Sequence, residues 1–279
     1  MPLVTVYIPT RNRLELLLRA IQSCLAQSFA DFEIIVVDDA SDQSIRGQIA
    51  AIADLDPRIK VMQLDVPQGA CAARNLAISH ATGKYLTGLD DDDEFMPQRL
   101  QQLLNAYQQH PRASFVSSGY LIKAASGQML TSSRGEKDIA LDDLLYANVI
   151  GNQVMTTTEA MRAIGGFDIN LPSCQDYDTW IRLVEKFGSG YRSAEISYIV
   201  HQDHGSQRIS SHVRRKLGYE YLYNKHQQLM NEQQRASQLF YRLLYTENPS
   251  LLQILKAAPR SQLMVALKVY LLRKIGYDI

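Results

Sequence analysis

Cysteine, surplus charge and long apolar runs are all scarce in this 279-residue chain. Its three cysteines, Cys24, Cys71 and Cys174, are odd in number and scattered. They frame neither a disulfide scaffold nor a Cys-x-x-Cys metal site, so a reducing cytoplasm is the expected compartment. Lysine plus arginine balances aspartate plus glutamate at 29 each, which argues against a nucleic-acid binder with its usual basic surplus. The start, Met1-Pro2-Leu3-Val4-Thr5, lacks the basic region and apolar run of a signal peptide. No uncharged apolar stretch reaches the roughly 20 residues that cross a bilayer. The expectation is a cytoplasmic protein, at most peripheral on a membrane. Internal repeats and low-complexity segments are also missing.

What is present is a regular alternation. Leu3 to Ile8, Glu33 to Val37, Ile59 to Leu64 and Lys84 to Leu89 are short apolar or β-branched runs. Helical spacing separates them at Leu14 to Ala26, Ile45 to Ala53 and Ala70 to His80. Strands of this length joined by helices imply βαβ units and a doubly wound, mostly parallel sheet covered on both faces. Further strands are expected at Ser114 to Ile122 and Ser193 to Val200, and a helix at Asp176 to Phe187. After about Ser211 the pattern is all-helical, so residues 1–210 read as an α/β catalytic unit and 211–279 as a helical C-terminal region.

The chemistry concentrates where strands leave the sheet. Asp90-Asp91-Asp92-Asp93-Glu94 follows the fourth strand directly, and five adjacent carboxylates repel one another unless something offsets them. If the strand stays extended, Asp90 and Asp92 face one side with Cα atoms roughly 7 Å apart, a pair suited to a hard divalent cation. The competing reading is a solvated turn that caps the helix near Pro97. Asp38-Asp39 ends the second strand in the same row, placed to accept from a nucleobase or ribose or to cap a helix. The first strand exits through Pro9-Thr10-Arg11-Asn12-Arg13 without Gly-x-Gly-x-x-Gly, which speaks against a dinucleotide enzyme. Gly69 to Asn75 opens the third crossover helix, and Arg74 there reaches either a ligand or an acidic neighbour.

The ordered series Val6 to Arg13, Phe32 to Asp42, Gly69 to Asn75 and Gly83 to Asp93 resembles the family 2 glycosyltransferases of the GT-A fold. Gly165-Gly166-Phe167-Asp168 and Gln175 to Leu183 resemble the later block of that family, and the likeness spans roughly residues 3–205. It implies that Pro9, Thr10, Arg11 and Asn12 line a nucleotide pocket, with Asp39 on the base and Arg74 on the donor. It implies further that Asp90 to Asp92 is the Asp-x-Asp element. Asp92 is then the metal ligand, Asp90 a ribose or metal contact and Asp91 part of the donor site. The catalytic base carries over to Asp176, where Gln175 stands in place of the usual preceding glutamate. Of His201 and His204, the second is preferred as a histidine meeting metal or diphosphate.

The implied reaction is inverting transfer from a nucleoside diphosphate sugar, a UDP-sugar first, to a carbohydrate or lipid-linked acceptor, with Mg²⁺ or Mn²⁺ as cofactor, in polysaccharide or O-antigen-type synthesis. A non-catalytic nucleotide-sugar-binding protein on the same scaffold is the main rival. A metal phosphohydrolase is the third reading, without a nucleophile motif to support it. From Pro249 onward five basic side chains face one acidic, Asp278. Leu263, Leu267, Tyr270 and Leu271 there share a helical face, which suits an anionic inner-membrane surface or packing against the catalytic unit.

Overall fold

A computed structural model describes residues 1–124, 126–132, 135–151, 153–202, 212–246, 249–259 and 262–274. Three βα steps and a fourth strand open the chain: β1 (Val4–Thr10), α1 (Leu14–Leu25), β2 (Phe32–Asp38), α2 (Gln43–Ala50), β3 (Ile59–Gln63), α3 (Ala70–His80) and β4 (Tyr85–Gly88). β1 pairs in parallel with β2 and β4, and β2 with β3. Next come β5 (Glu94–Phe95), α4 (Arg99–Gln109), β6 (Val116–Ala124), β7 (Met129–Thr131), β8 (Lys137–Ile139), α5 (Leu141–Tyr146), β9 (Met155–Thr157), α6 (Thr158–Ala163), α7 (Gln175–Phe187) and β10 (Gly190–Gln202).

The strand order is β3-β2-β1-β4-β9-β6-β10-β5, with β7 on β6 and β8 on β10. The parallel expectation holds for β3-β2-β1-β4 and for β6 with β10. It is interrupted by β9, antiparallel to both β4 and β6, and by the antiparallel β5, β7 and β8. At two or three residues each, β5, β7, β8 and β9 are too short to show an alternation of their own.

Side chains of successive strand residues point to opposite faces, and the core divides accordingly. Val4, Val6, Ile8, Ile34 and Val36 pack with Leu17, Ile21, Leu100 and Leu103 of α1 and α4. Tyr7, Ile35, Val37 and Leu86 pack with Ala73, Ala77, Trp180 and Ile181 of α3 and α7 on the other face. β1 and β2 are buried along their whole length because helices cover both sides.

The C-terminal helices are α8 (His212–His226), α9 (Glu232–Thr246), α10 (Leu251–Ala257) and α11 (Leu263–Lys274). Leu222 and Met230 join the core beneath α7, while Phe240, Leu244, Ile254 and Ala266 form a small cluster of their own. Gly218 lets α8 come close, since a Cβ there would lie 2.7 Å from the Ser173 carbonyl oxygen. Among the described residues no helix is long and apolar enough to cross a membrane.

Candidate functional site

The acidic run does not prolong β4. It turns back, with the Asp93 N–H donating to the Asp90 carbonyl at 3.0 Å. This corrects the extended geometry expected for Asp90 and Asp92; aspartates favour turns because their short side chains bond locally. Nor does the run cap the next helix: no side chain caps α4 at Gln98, and the Leu100 N–H donates to Gln27 Oε1 instead.

Arginines and hydroxyls offset the repulsion. Arg13 Nη1 reaches Asp91 Oδ1 at 3.1 Å and Asp92 Oδ2 at 2.9 Å. Thr10 Oγ1 donates to Asp91 Oδ2 at 2.7 Å, and Arg19 donates to the Asp92 carbonyl. Asp93 accepts from the Tyr198 hydroxyl at 2.9 Å and the His201 N–H at 3.0 Å. Burial followed by Asp92 pushes the Asp91 carboxyl up to about 6, and burial with Asp92 and Asp90 raises Asp93 well above its usual range. Asp90 and Asp92 are the open aspartates of the run, keeping 33% and 22% of their side chains exposed.

Arg74 stands in the first turns of α3 and donates to Asp90 Oδ1 at 2.8 Å, its guanidinium 5.2 Å from the Phe167 ring centroid. Burial disfavours this cation, yet Asp176 and Asp90 outweigh it and hold the charge. Asp176 lies in the first turn of α7. Burial, reinforced by Asp90, raises its carboxyl, while Arg74 and the Gln153 side chain oppose the shift. Asp176 Oδ1 is fully covered and has no hydrogen-bond partner. A buried carboxylate oxygen left in this way is expensive and marks a place where a donor from a bound molecule would fit.

The loop after β1 is tied to the loop after β2. Asn12, at φ +56°, donates its N–H to Ser41 Oγ and accepts at Oδ1 from the Asp42 N–H. Asp39 accepts from the Gln68 and Gly69 N–H groups at 2.6 and 2.9 Å, not from α2 as a cap. Gly69, at φ +90°, supplies a backbone turn few other residues adopt. Pro9 and Thr10 are buried in β1, and Arg11 and Asn12 are exposed beyond it. Thr10, Asp39, Arg74, Asp90, Asp91, Asp92 and Asp176 thus gather at the carboxyl ends of β1, β2 and β4 and the adjoining helix starts.

His201 is buried in β10 with Nε2 2.6 Å from Glu94 Oε1, and His204 lies outside the described residues. Arg13, Arg19, Gln153 and Tyr198 receive no site role from the sequence alone. Arg13 alone had a visible cue, its place at the end of the first strand's exit.

Residues 5–165 match the model of glycosyl transferase family 2, more than half of the chain. The chain belongs to that family. Among the relatives of this glycosyltransferase is a protein of Escherichia coli K12 described as a putative colanic acid biosynthesis glycosyl transferase, WcaA. It is 37% identical over 242 residues, covering 86% of each chain. The putative teichuronic acid biosynthesis glycosyltransferase TuaG of Bacillus subtilis is 30% identical over 192 residues, covering 68% of this chain and 75% of TuaG. Residues 1–349 of S. aureus TarS, solved with UDP-GlcNAc, superpose with a TM-score of 0.64 at 17% identity, covering 99% of this chain and 92% of that one. A mannosyltransferase of Pyrobaculum calidifontis, solved with GDP-Man and Mn²⁺, gives 0.61 at 17% identity, covering 99% and 76%. The family 2 chain therefore shares the GT-A fold of these transferases.

Proposed function

We propose that this family 2 enzyme is an inverting glycosyltransferase that moves one sugar from a nucleoside diphosphate sugar, a UDP-sugar first, to a carbohydrate or lipid-linked acceptor during bacterial polysaccharide synthesis. The observation that carries the proposal is the Asp90–Arg74–Asp176 row. It sets a partly open carboxylate, a buried cation and a carboxylate with an unpartnered oxygen side by side at the strand ends.

A sugar hydroxyl is a weak nucleophile near neutral pH, so a carboxylate must accept its proton as attack proceeds. Asp176 takes that role: its raised proton affinity makes it a stronger base than an exposed aspartate, and Arg74 opposes the rise. Attack from the Asp176 side on a donor anchored at Asp39, Thr10 and the acidic run displaces the diphosphate in one step and inverts the anomeric centre. Arg11 and Asn12 border the nucleotide beyond β1.

The oxygens of the acidic run suit a divalent cation. Among the described residues no three His, Cys, Asp or Glu side chains converge as a cage. Mg²⁺ and Mn²⁺ are commonly held by one or two carboxylates and completed by phosphate oxygens and water, and the part-exposed Asp90 and Asp92 provide such a pair. Bound there, the ion would neutralise charge on the leaving diphosphate.

We place the catalytic unit at residues 1–210 and the helical region at 211–279. Leu252, Met264 and Leu271 are more than half exposed on α10 and α11, beside the exposed Lys256 and Lys268. This supports contact with an anionic membrane surface. Flotation with acidic vesicles should be stronger for the full chain than for one ending at residue 248; equal flotation removes that contact.

The deciding test is a panel of nucleotide sugars with Mg²⁺ or Mn²⁺. One donor should be turned over, and Asp176→Asn should cut kcat by about 10²- to 10⁴-fold while donor binding persists. Binding without turnover by the unmodified chain, across donors and acceptors, would favour a binding protein instead.

A further inference from the structure

Arg99 is the one arginine of this molecule that is fully buried without a carboxylate partner among the described residues. It stands at the start of α4, beneath the strand ends. Nη1 donates to Ser118 Oγ at 2.9 Å and Ser197 Oγ at 3.1 Å, and Nη2 donates to the Gln153 carbonyl at 2.8 Å. Nε has no partner. The guanidinium carbon lies 4.9 Å from the Phe95 ring centroid and 4.8 Å from that of Tyr198, so two aromatic faces serve where an anion usually would. Burying a guanidinium on neutral partners is costly, and an apolar side chain often fills such a space without loss of stability. Core filling alone therefore gives no reason for an arginine here.

Two of these neutral partners, Gln153 and Tyr198, lead to the site. Gln153, held through its carbonyl, turns its side chain toward Tyr7, whose hydroxyl donates to Gln153 Oε1 at 3.1 Å, and toward Asp176. Tyr198, held through its ring, donates to Asp93 Oδ2 and accepts from the Asp90 N–H at 3.4 Å. One guanidinium thus touches the residue that steadies the base and the residue that closes the acidic turn.

We infer that Arg99 is a positioning residue, a buried strut that fixes the spacing between Asp176 and the Asp90–Asp93 turn. The inference rests on the glycosyltransferase reading. It assigns two separable branches: Gln153 toward the base and Tyr198 toward the donor-binding turn. A strut of this kind acts through geometry, and a misplacement of about 1 Å at a reacting pair is worth about 10²-fold in rate.

The experiment compares Arg99→Met, Arg99→Lys, Gln153→Met and Tyr198→Phe in the full chain. Transfer kinetics are followed with the donor found active, and UDP binding by calorimetry. Gln153→Met should lower kcat with little change in the UDP dissociation constant, and Tyr198→Phe should chiefly weaken UDP. Arg99→Met should do both, with kcat down about 10²-fold, at a thermal midpoint that still leaves it folded under assay conditions. Arg99→Lys, which keeps the charge, should recover part of each loss. If Arg99→Met does not fold, Arg99→Lys carries the comparison, because a single ammonium cannot span Ser118, Ser197 and Gln153 together. A folded Arg99 variant with unaltered kcat and UDP affinity overturns the strut. So does a loss that disappears when the assay is cooled well below the variant's midpoint. A wild-type chain that transfers no sugar from any donor refutes the glycosyltransferase reading instead, and the two failures are distinguishable.

Discussion

Arg74 meets Asp90 at 2.8 Å while its guanidinium also faces Asp176, so one cation stands between the proposed donor site and the proposed base. Two neighbouring carboxylates would raise each other's proton affinity without a cation between them. Replacing Arg74 with Met removes a charge that lowers the Asp176 carboxyl. The base must be ionised to work, so the acid limb of kcat/KM should move to higher pH, which a pH–rate profile would show. An unchanged limb would separate Arg74 from the base. Arg74→Lys should fall between, since it keeps charge but loses the planar fork.

Asp178 gives a stability prediction of known sign. Burial raises its carboxyl, but His226, Arg182 and Lys225 outweigh that and draw it down to about 2. A folded-state value below the unfolded one stabilises above the unfolded value, and the gain fades as pH falls through that window, here from about 4 to about 2. Asp178→Asn should therefore cost about 2 kcal/mol near neutral pH and very little near the acid end. Urea titrations at the two pH values check this.

Close approach at Gly218 gives a second. A Cβ there would crowd the Ser173 carbonyl at 2.7 Å, and backbone cannot swing aside as a flexible side chain can. Gly218→Ala should lower stability by about 1 to 3 kcal/mol in spite of alanine's better helix propensity. A stabilised variant would mean that α8 sits farther from Ser173.

The metal reading is checked without turnover. With saturating UDP, Mn²⁺ should raise the thermal midpoint by about 5 °C at a hundredfold excess over its dissociation constant. Asp90→Ala and Asp92→Ala should each shrink that increment. An equal increment in both variants places the ion elsewhere.

The βα alternation was legible because a strand buried on both faces must be apolar throughout. The bounds of α3, Ala70–His80, match their sequence expectation. What stayed hidden has a physical reason. β9 is three residues long and gains its pairing from β4 and β6, not from its own pattern. Four consecutive aspartates read equally as strand or turn until the Asp93-to-Asp90 hydrogen bond closes the turn. Arg13 meets Asp91 and Asp92 across nearly eighty positions, a pairing no local spacing announces.

The partners of Asp178 bear on how the chain divides. Lys225 Nζ and His226 Nε2, both from α8, lie 2.8 Å from Asp178 Oδ1, two residues along α7 from Asp176. A chain cut after residue 210 would strand a buried carboxylate with Arg182 as its sole remaining ion-pair partner among those named. Anything that tugs the tail then pulls on the helix that carries the proposed base, so the C-terminal region works as a brace rather than an appendage.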